Sequence, residues 1–370
     1  MSTLFSPLDA GRLKLANRLG VAPMTRVSAT ADGHATARMR DYYGAFAEGG
    51  FGMIVTEGLY TDQAFSQGYL FQPGLADSNQ LDAWKPVVDA VHAHGALIVA
   101  QLMHAGALSQ GNAHRSGTRA PSPVRPKGQQ MSFYRGEGDY PMPQAMALTE
   151  IEQAVQGFAQ AALRAKAAGF DGVEIHGANG YLLDQFLTEG VNLRDDQYGG
   201  DVRGRLRLIV EVVEAVVAAV GSDFMVGLRI SQGKVNDFTH KWRGGEDDAV
   251  AIFGALGKLS LDYLHTTEFE AWQPAFGSGP SLAALAKRHS GLTVIANGSL
   301  HDPLAAERLL EEGAADVVTL GRGALTHADW PRRAQAGLSI ADFDRGMLAP
   351  IADLANADRH RVPSVQQAGH

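Results

Sequence analysis

Eight short apolar runs, each followed by a stretch with apolar residues at helical spacing, recur along this chain and limit its fold more than any other feature. The runs lie at residues 18–24, 51–56, 96–102, 172–175, 224–230, 261–265, 292–296 and 315–320. The helix-like stretches lie at 39–48, 81–94, 151–168, 203–220, 247–259, 282–289 and 303–312, with a weaker one near Trp330. The third carries Thr149 and Glu152 at capping-box spacing. Strands this uniformly apolar cannot leave one face in water, so the alternation predicts a parallel sheet covered by helices. Eight strands is the number that closes into a barrel. A doubly wound open sheet is the structural alternative. No linker divides the chain, so residues 1–370 read as a single (β/α)8 TIM-barrel domain with a flexible tail at 362–370. Residues 4–15, with Asp9-Ala10-Gly11 as a turn, are expected to form a hairpin lid plugging the barrel's lower end.

Three connections, 104–148, 231–245 and 266–280, are too long for simple strand-to-helix turns. Loops of that length are usually functional, and all three leave strand C-termini, the face on which such barrels build active sites. They carry Phe133, Tyr134, Phe238, Trp242, Phe269, Trp272 and Phe276, candidates for an apolar pocket. Polar residues end the strands: Thr25 and Arg26, Glu57, Gln101, His176, Arg229, Thr266, Asn297 and Arg322. Singly, each reads as a strand cap; together they read as a polar ring at the catalytic end.

The last two strands end in Ala296-Asn297-Gly298-Ser299 and Gly321-Arg322-Gly323. Glycines let backbone N–H groups approach an anion, helix N-termini favour negative charge, and Arg322 offers a fork to phosphate oxygens. Neither loop matches a dinucleotide fingerprint or carries a Walker lysine. The densest polar constellation runs from Glu174-Ile175-His176 through Asn179 and Tyr181 to Phe186. An imidazole and an amide can jointly hold one oxygen, and a phenol that stays protonated at neutral pH can donate a proton. On its own, His-x-x-Asn-x-Tyr is a weak pattern and reads as a structural turn.

With those residues stand Asn17-Arg18, Ala22-Pro23-Met24-Thr25-Arg26, Thr56-Glu57-Gly58, Gln101-Leu102, Asn192-Leu193-Arg194, Tyr198-Gly199-Gly200, Gly227-Leu228-Arg229 and Gly321-Arg322. In this order the set resembles the Old Yellow Enzyme group of flavin oxidoreductases, over almost the whole chain to about Trp330. The resemblance implies Pro23, Met24, Thr25 and Gly58 along the isoalloxazine of a non-covalent FMN, Gln101 at its pyrimidine edge and Arg229 beside N1 and O2. It implies a phosphate held by Gly298, Ser299, Gly321 and Arg322. His176 would contact both cofactor and substrate, and with Asn179 would hold a carbonyl or nitro oxygen. Flavin N5 would give hydride to the β-carbon and Tyr181 a proton to the α-carbon. NADH or NADPH would reduce the flavin first, in a ping-pong cycle with an electron-poor alkene as the second substrate.

The chain departs from the family pattern at Met103, Asp201, Gly204 and His327-Ala328-Asp329, and no Tyr follows Tyr263. These departures leave substrate preference open, and nothing in the sequence fixes the oligomeric state.

A net charge of −8 and a pI near 5.9 argue against nucleic acid as a partner. Zero cysteines exclude disulfides, thiolate chemistry and cysteine-held metal from this chain. His92 and His94 lie at a helix C-terminus without a carboxylate partner set, so no metal site is expected. The start lacks a basic stretch followed by a long apolar one, and the most apolar helix is interrupted by Glu211 and Glu214. A soluble, cytoplasmic protein with no membrane partner is the expectation. Two other functions fit the same residues: a flavin-free lyase or isomerase of a phosphate ligand with His176 as base, which would be colourless, and a flavin-binding barrel without turnover. Because no cysteine can form a thioether to flavin, acid precipitation of the purified protein is expected to release all yellow colour as FMN. Recovery of FAD, or of no flavin after reconstitution, contradicts the assignment.

Overall fold

The computed structural model describes residues 2–362. Among them, eight parallel strands close a barrel: β1 Leu19–Val21, β2 Met53–Val55, β3 Leu97–Met103, β4 Gly172–Asn179, β5 Met225–Lys234, β6 Tyr263–Thr267, β7 Thr293–Asn297 and β8 Val317–Leu320. Each strand pairs in parallel with its sequence neighbour, and β8 closes the ring on β1 through Val318↔Leu19 and Leu320↔Val21. An open doubly wound sheet is thereby excluded. The helices that alternate with the strands are α1 Ala37–Glu48, α2 Ser78–His92, α3 Leu148–Ala168, α4 Val202–Val220, α5 Glu246–Leu256, α6 Leu282–Ser290, α7 Pro303–Glu311 and α8 Trp330–Gln335. None of the helices described is long and apolar enough to cross a membrane.

The strands are buried on both faces because the helices cover one and the barrel interior the other. α4 shows how: Leu206, Ile209, Val212, Val213, Val216 and Val220 form one apolar stripe that packs inward. Asp201 caps that helix by accepting from the backbone N–H groups of Arg203 and Gly204. A Cβ on Gly204 would lie 2.1 Å from the carbonyl oxygen of Gly199. Both departures from the family pattern at this point therefore serve the helix start. The expected box at Thr149 does not form. α3 begins one residue earlier, and Glu150 accepts from the N–H of Ala147 while pairing with Arg119.

The N-terminal hairpin forms from Leu8–Ala10 and Leu13–Leu15, so its turn is Gly11-Arg12 and not Asp9-Ala10-Gly11. Leu13 and Leu15 pack on Met53, Val55, Val99, Met225, Ile295 and Val317 and seal the lower end of the barrel. A fourth long connection, residues 56–77, escaped the sequence reading, which recognised three. The 344–357 segment folds back over the catalytic end: Ala352 donates to the Phe133 carbonyl, Leu354 to Ser28 Oγ, and Arg26 to the carbonyls of Met347 and Asp353. Of the tail, only residue 362 lies within the described residues.

Inside the barrel, Tyr263 on β6 lies against Gly227, its register partner on β5; a Cβ there would fall 2.1–2.5 Å from ring carbons of Tyr263. Gly227→Ala must therefore displace a fully buried ring, which should destabilise the fold by about 1–3 kcal/mol, as overpacking does. The midpoint of chemical denaturation checks this, and an unchanged midpoint contradicts the packing described.

Candidate active site

The catalytic face begins with a buried carboxylate. Glu174 on β4 accepts from Gln101 Nε2 at 2.8 Å and Tyr263 Oη at 3.1 Å, and its Oε2 lies 2.8 Å from His265 Nδ1. Burial opposes its ionisation, but His265, the Arg229 cation and the hydrogen bond from Gln101 outweigh burial and hold its pKa down at about 2. Arg229 on β5 is fully buried. Its Nη2 donates to Asn297 Oδ1 at 2.9 Å and its Nη1 lies 3.0 Å from His265 Nε2. Burial lowers its pKa to about 10, with Glu174 acting against that shift, so Arg229 is a cation at neutral pH.

His176 is the cross-strand neighbour of Arg229. Burial and then the Arg229 charge press its pKa down to about 3, which makes it a neutral imidazole. Its Nδ1 is buried and has no hydrogen-bond partner among the described residues; the same is true of Arg229 Nε. A buried polar group left unpaired costs about 1–3 kcal/mol, so each of these atoms is open to a ligand atom at this end of the barrel.

Beyond His176 the chain turns sharply. Asn179 adopts φ +61°, a left-handed conformation that asparagine tolerates better than most residues. Its N–H donates to Ser231 Oγ and its carbonyl accepts from Val235. Asp184 accepts from the Gly180 N–H at 2.6 Å and receives Lys234 Nζ at 2.7 and 2.8 Å, in an ion pair buried from solvent. The turn is thus held on both sides. Tyr181 follows, its ring 5.0 Å from that of His176. Burial pushes its phenol pKa above the ordinary value, so it is protonated. Its hydroxyl lies 2.6 Å from the hydroxyl of Tyr69, which the long 56–77 connection carries. The sequence reading missed Tyr69; the signal was the gap between the second strand and the second helix.

Asn179, Asn297, Gly298, Ser299, Gly321 and Arg322 line one cleft of about 460 Å³ at the strand ends. Arg322 donates to Ser299 Oγ at 2.9 Å, which joins the two loops across the cleft. Gly298 has φ +143°, and a Cβ would lie 2.2 Å from the Glu268 carbonyl oxygen, so only glycine lets the loop take this path. Met24 Sδ lies 3.5 Å from the Cβ position of Gly321, which brings the Pro23-Met24-Thr25 segment to the same loops. Gly58 sits under Met103, and Tyr134 donates to the Thr25 carbonyl at 3.1 Å. All the expected cofactor residues thus gather at one end of the barrel. The loop aromatics divide: Trp242 packs in the core on Phe253, whereas Phe238 and Phe269 stand exposed at the cleft. His92 pairs with Asp171 at 2.9 Å.

The model of the NADH:flavin oxidoreductase / NADH oxidase family matches residues 3–340. The chain belongs to that family. It is 36% identical over 350 residues to a probable flavin mononucleotide-dependent alkene reductase of Leishmania infantum, covering 92% of each. To the NADH oxidase of Thermoanaerobacter brockii it is 33% identical over 345 residues, spanning 90% of this chain and about half, 51%, of that relative. Among solved structures, the old yellow enzyme homologue of Zymomonas mobilis superposes with a TM-score of 0.87 at 30% identity, covering 96% of this chain and 99% of that one. Morphinone reductase in complex with tetrahydroNAD gives 0.87 at 31%, covering 100% and 99%. The chain is accordingly an FMN-type flavin oxidoreductase of the Old Yellow Enzyme kind.

FMN fits the residues present: two glycine loops with an arginine for the phosphate, and a buried unpaired donor on Arg229 for the ring system. Because His176 is held neutral, its ring resonances should show no titration between pH 8 and pH 5, measured by nitrogen-edited NMR. An inflection near the ordinary histidine value of about 6.5 would contradict the electrostatics described.

Proposed function

We propose that this protein is an NAD(P)H-dependent ene-reductase of α,β-unsaturated carbonyl or nitro compounds. The observation that carries the reading is one turn bearing a neutral His176 with an unpaired Nδ1, Asn179 facing the cleft, and a protonated Tyr181. When bound, FMN takes two electrons from NAD(P)H and passes them to the alkene. Gln101 and Arg229 would hold the cofactor's polar edge, Pro23, Met24, Thr25 and Gly58 its ring, and Gly298, Ser299, Gly321 and Arg322 its phosphate. Morphinone reductase has been captured with tetrahydroNAD, which supports a nicotinamide as reductant here too.

His176 and Asn179 would donate to the substrate's carbonyl or nitro oxygen. Charge gathers on that oxygen as the β-carbon is attacked, so donors fixed there lower the barrier without reorganising. Neutrality matters for His176: an imidazolium beside the Arg229 cation would be repelled in the buried site. Tyr181 would then protonate the α-carbon. When Tyr69 donates to Tyr181 Oη, the Tyr181 proton is left for the substrate. The same hydrogen bond strengthens as Tyr181 becomes phenolate.

Tyr181→Phe separates the two half-reactions. Enone reduction should fall by about 10²–10⁴, the range expected for a lost general acid. Nitroalkene consumption should fall far less, because a nitronate persists until solvent protonates it, and reduction of the flavin by NAD(P)H should be near normal. Stopped-flow kinetics with cyclohexenone and a nitroalkene measure both. Equal enone rates in variant and parent would refute the role of Tyr181.

A further inference from the structure

A second cavity, of about 420 Å³, lies on the other side of the catalytic turn, between the 104–148 and 231–245 loops and the first turn of α4. Neither the phosphate loops nor His176 lines it. Its apolar wall includes Leu108, Val202 and Ile252. Its polar wall carries the acids Glu189, Asp237 and Asp248 as well as cations. Lys127, Lys234, Lys241 and Arg243, which also face it, each pair with a carboxylate. Arg125 and Arg205 do not: Arg125 donates to the Tyr140 carbonyl, and Arg205 to the carbonyls of Leu187 and Gly200. Arg205 is buried, and Asp201, the acid in its field, is committed to capping α4. The direct hydrogen bonds of the Arg205 guanidinium go to carbonyls and not to a carboxylate, which leaves its charge able to attract an anion. A further donor is idle in the same wall. Trp242 is buried, and its Nε1 has no acceptor among the described residues.

We propose that this cavity is a binding site for an amphipathic organic anion, a carboxylate or sulfonate on a flat apolar body, separate from the substrate pocket. The acid group would meet Arg205 and Arg125, and the apolar body would lie against Leu108, Val202 and Ile252. Trp242 Nε1 would donate to a ligand oxygen. Apolar surface with a few convergent polar groups is the usual composition of a small-molecule site. The volume suits a ligand of two or three fused or linked rings.

The test uses the FMN-loaded full chain with 1-anilinonaphthalene-8-sulfonate as the probe, in isothermal titration calorimetry with a phenol already saturating the flavin site. One probe should bind per chain, and more weakly as salt is raised. Arg125→Gln and Trp242→Phe should each weaken binding about three- to tenfold, the effect of one hydrogen bond. Val202→Trp should abolish it by filling the cavity. Arg125 is exposed and Val202 half-buried, so neither change threatens the fold, and the flavin spectrum of each variant verifies this. Absence of saturable heat, binding indifferent to all three substitutions, or binding lost when the phenol is present would overturn the proposal.

Discussion

The chemistry of this barrel depends on one compensated pair of buried charges, Glu174 and Arg229. Each is expensive to bury alone, and neighbouring strands place them within reach of one another. Glu174 is bound from two further strands, by Gln101 on β3 and by Tyr263 and His265 on β6, so the polar interior is a network and not a single contact. With Glu174 ionised, Arg229 is protonated; with Arg229 protonated, His176 stays neutral and has a donor to give. Burial sets the protonation states of His176 and Tyr181 first, and the Arg229 charge, partly compensated by Glu174, adds to the effect at His176.

A second constraint fixes geometry. The Asp184–Lys234 pair joins the short helix Leu182–Leu187 after β4 to the end of β5 and takes the Gly180 N–H as a third partner. Removing either charge would leave the other buried and unpaired, at about 3–5 kcal/mol. That is why a left-handed Asn179 can be held in place with its side chain toward the cleft. Tyr69, by contrast, reaches Tyr181 from a loop, and it does so inside an apolar cluster with Met103, Leu108 and Tyr140 that fixes its ring.

Much of this was legible in the sequence, for identifiable reasons. A strand buried on both faces writes itself as an uninterrupted apolar run, so all eight strands could be located, with errors of a few residues at their ends. The glycine loop after the seventh run was legible because its path admits only glycine at Gly298. The roles proposed for His176, Asn179 and Tyr181 rest on the family pattern; their spacing alone described a structural turn. What stayed hidden was pairing across distance. Nothing in the chain around Tyr69 points to Tyr181, over a hundred residues away, and nothing local distinguishes Glu174 from any other buried strand residue. The loop aromatics show the same limit: composition put Trp242 and Phe238 together, and the fold buries one and exposes the other.

The central claim is that the turn after β4 presents two donors to one substrate oxygen beside the flavin. The most direct measurement is a titration of the FMN-loaded protein with a para-substituted phenol, followed through the flavin spectrum, in the parent and in a His176→Ala, Asn179→Ala double variant. A phenolate oxygen would accept from both donors, each such charge-assisted bond contributing about 1.5–3 kcal/mol. The account expects the double variant to retain FMN and to lose at least about a hundredfold in phenol affinity. Unchanged affinity in a variant that still holds its flavin would place the substrate oxygen elsewhere and contradict it.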